Sequence, residues 1–113
     1  MKMKRLCPVL ALLGLCALCA GQRANAQTIY WTDIGSSRIQ RLDLNAGEGV
    51  DDLLTTGQVF TPVDIALDAA GGKMYWTEST LADFMIQRAN LDGTNVELLV
   101  THLVSPSGIA LES

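Results

Sequence analysis

The sequence predicts an all-β fold built from a repeated unit of about 45 residues, and three observations support this. Turn residues separate short stretches of alternating apolar and polar residues, as in strands. No amphipathic stretch has the 3.6-residue period of a helix. Three segments also recur at offsets of 45, 47 and 44 residues, namely Tyr30–Asp33 as Tyr75–Glu78, Ile39–Arg41 as Ile86–Arg88, and Thr61–Asp68 as Ser105–Glu112. A period near 45 is that of one four-stranded β-propeller blade. We therefore expect a partial β-propeller with two antiparallel blades, arranged as 3 + 4 + 1 strands.

The first 26 residues are predicted to be a secretory signal peptide with a helix that is cleaved off. Met1–Arg5 is basic, residues 6–20 are apolar, and Ala24-Asn25-Ala26 has the small-x-small form of a cleavage site. The apolar run is shorter than the roughly 20 residues that span a bilayer. We expect a mature chain of residues 27–113, secreted to the extracellular space or periplasm, with no membrane association after cleavage.

Removal of this segment would change the charge and cysteine content. It holds four of the 8 basic residues and none of the 12 acidic ones, so residues 27–113 would carry a net charge of −8. Such acidity disfavours nucleic acid and anionic lipid as partners. Cys7, Cys16 and Cys19 would all be removed. The alternative, a lipid anchor on Cys16 or Cys19, is disfavoured because leucine precedes each of them.

The first repeat is expected at about residues 28–72 and the second at about 73–113. In each, an aromatic strand, TIYWTD or KMYWTE, is followed by a hairpin. The second hairpin turns at Asp92-Gly93, a strong turn signal, whereas the longer NAGEG turn of the first predicts a bulge. Pro62 and Pro106 lie near the start of the last strand of each unit, since proline cannot donate within a sheet.

Together these residues resemble the class B, or YWTD, repeats of the low-density lipoprotein receptor family. The shared pattern is YWT[DE], I-x-R, L-[DN]-x-G and P-x-x-I-A-L-[DE], and it covers nearly all of residues 27–113. The resemblance implies a six-bladed β-propeller with the proline motif on the innermost strand and YWTD on the second. It implies structural roles for Tyr30, Trp31, Thr32, Asp33, Tyr75, Trp76, Thr77, Glu78, Pro62, Pro106 and Gly93.

In this family the acidic residue of the YWTD motif bonds to the backbone of the adjoining blade. Glu78 departs from the usual Asp, so the resemblance leads us to expect a weaker bond there.

Two repeats are too few for such a ring, and two uncapped blade faces would expose on the order of 600 Å². Three explanations stay open. The chain is a shortened gene product that stops where another YWT strand is expected. Alternatively, three copies self-associate to complete a ring, with SGIAL of one chain pairing with TIYWT of the next. The third explanation is a loose stack of two sheets.

No set of polar residues predicts a catalytic site or a cofactor. His102 is the sole histidine, and no Gly-x-Ser-x-Gly motif is present, so a triad would depend on that residue. Asp64 is a weak metal candidate at the start of the innermost strand, where the second repeat has Gly108. One carboxylate does not make a calcium site. The acidic pair Asp51-Asp52 is expected to be a solvated sheet edge.

The sequence thus predicts a secreted, non-enzymatic binding or scaffold module, because the repeated residues all have architectural explanations and no set of polar residues converges on chemistry. Its partner, a protein or other extracellular ligand, is expected to contact loops at one end of the blades. The alternative is a calcium-dependent propeller hydrolase or lyase, similar to gluconolactonase-like enzymes.

Overall fold

The computed structural model describes residues 27–112, which form two antiparallel sheets and contain no helix. Blade 1 consists of β1, β2 and β3, and blade 2 consists of β4, β5, β6 and β7. The strands span Thr28–Asp33 (β1), Arg38–Asp43 (β2), Asp51–Leu54 (β3), Thr61–Asp68 (β4), Lys73–Ser79 (β5), Phe84–Asn90 (β6) and Glu97–Val100 (β7). The predicted all-β fold of two antiparallel blades is confirmed.

The predicted signal peptide, with all three cysteines, lies outside the described residues. Among residues 27–112, no helix has the length and apolar character needed to cross a membrane.

The sequence repeat produces a repeated register. Tyr30 of β1 lies opposite Arg41 of β2, and Tyr75 of β5 lies opposite Arg88 of β6. The bulge expected in the first hairpin is present after Ile39, but blade 2 has the same bulge after Ile86 despite its tight turn. The extra residue lies on the last strand of each blade, Leu53 of β3 and Leu99 of β7, so the bulge is a feature of the repeat and does not depend on the length of the turn.

The eighth predicted strand, Ser105–Glu112, does not form a strand. A strand needs a neighbour for its backbone hydrogen bonds, and the described chain offers no further YWT strand beside this segment. One of its backbone groups is held by a side chain instead, because Ile109 N donates to Asp64 Oδ2 at 3.1 Å.

The core lies between the two blades and draws on both. Its buried apolar residues are Ile39, Leu54, Val59, Met74, Trp76 and Ala89, and Tyr30, Leu53, Ile65 and Leu91 pack against them. Trp76 is completely buried, whereas its counterpart Trp31 is only half-buried. Side chains alternate along a strand, so Trp76 faces blade 1 while Trp31 faces away from blade 2. Blade 1 thus buries the tryptophan of blade 2.

Polar and backbone contacts also join the blades. Thr32 Oγ1 donates to Val63 O at 3.1 Å, and Arg41 Nη1 donates to Leu91 O at 3.3 Å. Gly93 is buried with φ +88°, and a Cβ atom there would lie 2.4 Å from the carbonyl oxygen of Leu53. Only glycine allows the turn of blade 2 to approach β3 this closely.

Candidate functional site

Glu78, the acidic residue of the second YWTD motif, is a buried carboxylate with three hydrogen-bond donors. Its side chain is 1% exposed. Oε2 accepts from Phe60 N at 2.8 Å, and Oε1 accepts from Trp76 Nε1 at 2.7 Å and Gln87 Nε2 at 2.9 Å. Phe60 precedes β4, so Glu78 fixes the connection from blade 1 to blade 2. The longer arm of glutamate was expected to weaken this bond, but 2.8 Å is an ordinary N–H···O distance.

Asp33 occupies the same motif position in blade 1 but has a different role. Its Oδ1 accepts from Ser36 N at 3.2 Å within the turn after β1. Hydrogen bonds from the Ser36 side chain and backbone lower the pKa of Asp33. Trp31 Nε1 donates to Gln40 Oε1 at 3.0 Å instead of to the acidic residue. No described blade precedes blade 1, so Asp33 has no connecting segment to hold.

The arginine of the Ile-x-Arg motif links three strands in each blade. In blade 2, Arg88 Nε donates to Glu97 Oε1 at 2.5 Å, and Arg88 Nη1 donates to Tyr75 Oη at 3.3 Å. Glu97 and then Tyr75 raise the pKa of Arg88. In blade 1, Arg41 Nε donates to Asp51 Oδ2 at 3.2 Å. Sequence reasoning assigned these arginines no role, although their recurrence with the tyrosines was a usable signal.

The acidic pair that was expected to be a solvated edge is exposed and ion-paired. Asp51 contacts Arg41, and Asp52 Oδ2 accepts from Arg38 Nη1 at 2.6 Å. Both contacts cross from β3 to β2, so the pair stabilises the edge strand of blade 1. Exposed pairs of this kind contribute little individually.

Asp64, the weak metal candidate, uses its carboxylate on backbone N–H groups. Oδ1 accepts from Ile65 N at 2.9 Å, and Oδ2 accepts from Ile109 N at 3.1 Å. Over residues 27–112, no cluster of three or more His, Cys, Asp or Glu side chains is arranged to hold a metal ion. The structure thus brings no partner ligand to Asp64 within this range.

His102 lies in an exposed turn. Its side chain is 86% exposed, and its φ of +60° is positive, as is the φ of +100° of Gly57 at the equivalent place in the first repeat. Thr101 Oγ1 lies 2.8 Å and Asp83 Oδ2 lies 3.6 Å from the same ring atom, Nδ1. In a catalytic triad the nucleophile and the acid bind opposite ring nitrogens. The arrangement therefore lacks triad geometry.

Four loops meet at one end of the blades, which we call the loop end. They comprise residues 34–37, 55–60, 80–83 and 101–104, and each borders a strand terminus on the same side of the sheets. Thr56 Oγ1 donates to Ser36 O at 3.1 Å and Ser37 Oγ donates to Phe60 O, joining two of the loops. His102 N donates to Asp83 Oδ1 at 2.9 Å, joining the other two.

The loop end combines a small cavity with exposed apolar side chains. The cavity has a volume of about 270 Å³ and is lined by Ser37, Thr56, Val59, Phe60, Thr61, Ser79, Thr80 and Leu81. Ile34, Phe60, Leu81 and Val104 are the large apolar residues exposed in these loops. The cavity lies just below the usual size of small-molecule sites, whereas exposed apolar groups of this kind mark protein contacts.

Sequence reasoning missed these four residues, but a signal was present. Ile34 and Leu81 are 47 positions apart, and Phe60 and Val104 are 44 apart, so each pair recurs with the offset of the neighbouring motif. An apolar residue that recurs in a polar loop indicates that this position belongs to the repeat unit. The alternation of side chains along a strand does not explain this recurrence, because these residues lie in loops.

Stacked antiparallel blades with the same register and the same bulge define this chain as a β-propeller repeat protein. Residues 72–111 match the family model described as low-density lipoprotein receptor repeat class B. Residues 72–111 thus form a repeat of the low-density lipoprotein receptor class B type, which confirms the resemblance seen in the sequence.

Three curated relatives share this region. Nidogen-2 of Mus musculus is 38% identical over 71 residues, covering 63% of this chain and 5% of that protein. Low-density lipoprotein receptor-related protein 5 of Mus musculus is 36% identical over 86 residues, covering 74% of this chain and 5% of that protein. Protein cueball of Drosophila willistoni is 31% identical over 90 residues, covering 76% of this chain and 14% of that protein. The chain therefore spans only a small part of these relatives.

A solved structure shows the same fold. The crystal structure of a nidogen/laminin complex has a chain that is 32% identical to this one, with a TM-score of 0.64. The match covers 72% of this chain and 30% of that chain.

Proposed function

We propose that this chain is a secreted, non-enzymatic protein-binding module and that its partner contacts the loop end. One observation carries the proposal. Phe60 is an exposed aromatic residue at the cavity, and both its backbone N–H and its backbone carbonyl are hydrogen-bonded. Phe60 N donates to Glu78, and Phe60 O accepts from Ser37 Oγ. Its side chain is nevertheless 53% exposed. An exposed aromatic side chain on a fixed backbone suits an interface anchor, because little backbone entropy is lost on binding.

Leu81 is presented in a similar way across the cavity. Its loop is closed by Thr80 N, which donates to Asp83 O at 2.8 Å. Thr80 Oγ1 also accepts from Ala82 N at 3.2 Å and from Asp83 N at 3.0 Å. These bonds fix the turn while Leu81 is fully exposed. Phe60 and Leu81 both line the cavity, so each offers an apolar contact on a fixed backbone to a partner side chain that enters it.

The relatives support a protein as the class of partner. The nidogen structure that shares this fold is of a complex with laminin. Nothing specific favours the calcium-dependent hydrolase alternative, because Asp64, on which it rested, is engaged by two backbone N–H groups. The polar side chains of the repeated motifs make structural hydrogen bonds.

Binding is tested with the purified protein on an array of purified extracellular matrix proteins that includes laminin. We expect wild type to bind at least one of them, and Phe60→Ala/Leu81→Ala to weaken that binding by about tenfold or more. Leu44→Ala/Val50→Ala is the matched control, because these residues are also apolar and exposed but lie at the opposite end of blade 1. Binding to no array protein, or equal losses in both double variants, would contradict the proposal.

Secretion is tested separately by N-terminal sequencing of the protein recovered outside the producing cell. We expect the sequence to begin at Gln27. Retention of Met1–Ala26 on the recovered protein would contradict cleavage at the predicted site.

A further inference from the structure

The hydroxyl groups that line the loop-end cavity offer lone pairs to an incoming group, because their protons are used within the protein. Ser37, Thr56 and Ser79 each donate their only O–H proton to a backbone carbonyl oxygen. Thr80 Oγ1 donates in the same way to Asp83 O at 3.2 Å. A hydroxyl has one proton and two lone pairs, so an oxygen whose proton is engaged acts as an acceptor.

The other hydrogen-bond donors around the cavity are also engaged or lacking. Phe60 N donates to Glu78 Oε2 at 2.8 Å, and Thr80 N donates to Asp83 O at 2.8 Å. Within the described part of the chain, the residues lining the cavity include no Lys, Arg, His, Asn, Gln or Trp. The cavity therefore matches a ligand group that donates hydrogen bonds and not one that only accepts them.

A buried negative charge lies next to this cavity. Glu78 accepts from the backbone N–H of Phe60, which lines the cavity, and its carboxylate is 1% exposed. All three of its hydrogen-bond donors are neutral N–H groups, and over residues 27–112 no ion pair includes Glu78. A buried charge is screened less by solvent and salt than an exposed one. The carboxylate therefore favours a cation in the cavity.

The charges of the surrounding loops have the same sign. Asp33 precedes the first loop, and Asp83 ends the third. Arg38 follows the first loop, but its Nη1 is paired with Asp52 Oδ2 at 2.6 Å. Carboxylates around a cleft raise the local concentration of cations. The loop end therefore attracts a positively charged group and repels an acidic one.

We propose that the loop-end cavity receives a basic side chain of the partner protein. This inference rests on the proposed function and specifies which side chain the site recognises. The apolar stem of arginine or lysine packs on Val59 and Leu81, while its N–H groups donate to the hydroxyl lone pairs. Arginine fits best, because its planar guanidinium also stacks on an aromatic ring such as that of Phe60.

A titration of the isotope-labelled protein, followed by amide chemical shifts, tests this preference without a protein partner. The probe is N-acetylarginine amide, and N-acetylcitrulline amide is the matched control probe, because citrulline has nearly the same shape but no charge. We expect the arginine probe to shift the amides of Phe60, Thr80 and Leu81. Its dissociation constant should be about tenfold or more below that of the citrulline probe.

Two variants identify the source of the preference. Glu78→Gln removes the buried charge at nearly constant size, and should reduce the preference for arginine to about threefold or less. Glu48→Gln removes an exposed charge at the opposite end of blade 1 and should leave the preference unchanged. If Glu78→Gln does not fold, the comparison of the two probes on wild type still decides the question.

Equal binding of the two probes, no binding of the arginine probe, shifts confined to residues outside the loop end, or an undiminished preference in Glu78→Gln would overturn the proposal. These outcomes are distinct from failure of the proposed function. A wild-type protein that binds an array protein but ignores the arginine probe refutes the basic side chain alone. Arginine binding at the cavity without binding to any array protein contradicts the proposed function instead.

Discussion

Replacement of Glu78 by alanine should destabilise the protein strongly while leaving its exposed surface almost unchanged. The carboxylate is buried and accepts hydrogen bonds from Phe60 N, Trp76 Nε1 and Gln87 Nε2. Alanine removes the acceptor of all three donors at once. The half-buried Gln87 can turn to water, whereas the indole N–H of Trp76 is fully buried.

The size of the effect follows from these donors. A buried donor left without an acceptor costs about 1–3 kcal/mol, and this applies in full to Trp76 Nε1. The part-buried Phe60 N adds a smaller loss. Removal of a buried charge offsets part of the total. We expect a net cost of about 2 kcal/mol. With a urea dependence of about 1–3 kcal/mol/M, typical of small proteins, the midpoint should fall by at least about 0.7 M.

Urea denaturation followed by tryptophan fluorescence measures this loss of stability. Two further variants test whether the loss comes from the buried hydrogen bonds of Glu78. Glu78→Gln keeps one acceptor oxygen but turns an amide N–H₂ toward another donor, so it should cost about half as much as alanine. Asp33→Ala changes the same motif position in blade 1, where the carboxylate is bonded within an exposed turn, and should cost less than about 1 kcal/mol. Equal costs for Asp33→Ala and Glu78→Ala would refute the reasoning.

Three more variants test other contacts. Gly93→Ala should cost about 2 kcal/mol or more, because Gly93 has φ +88° and a methyl group would meet the Leu53 carbonyl; chemical denaturation within about 0.5 kcal/mol of wild type would contradict this. Ile39→Val should cost about 1 kcal/mol in the same assay, and no loss would mean a poorly packed core. Arg88 lowers the pKa of Glu97 below its ordinary 4.5. The stabilisation that this ion pair gives the folded state is therefore present above pH 4.5 and is lost as the pH falls through the folded-state pKa. Glu97→Gln should therefore unfold at a lower temperature than wild type at neutral pH, and the difference in unfolding temperature should disappear below pH 4.5. A difference that stays constant with pH would contradict the ion pair.

The strands could be predicted from the sequence because they depend on local signals that occur twice. Alternation in TIYWTD and KMYWTE fixed which residues share a face, and the Asp92-Gly93 turn fixed a hairpin. The common offset of the motifs then predicted two blades. These signals concern neighbours along the chain or across one ladder.

The environment of the motif residues could not be predicted in this way, because it depends on which blade lies next to them. Asp33 and Glu78 occupy one motif position, yet one caps an exposed turn and the other is buried. The failure of Ser105–Glu112 to form a strand has the same origin, since a good strand sequence still requires a partner. The loop end was missed because its apolar residues lie outside any periodic element.

Because the preceding blade buries Trp76, the two faces of a blade are covered by different neighbouring blades. A unit joined ahead of residue 27 would seal the indole of Trp31, whereas a unit joined after residue 113 would cover the tyrosine side of blade 2. A blade added at one end of the chain therefore buries different side chains from a blade added at the other end. An engineered array should gain its first large increment of cooperativity from extension at the amino terminus.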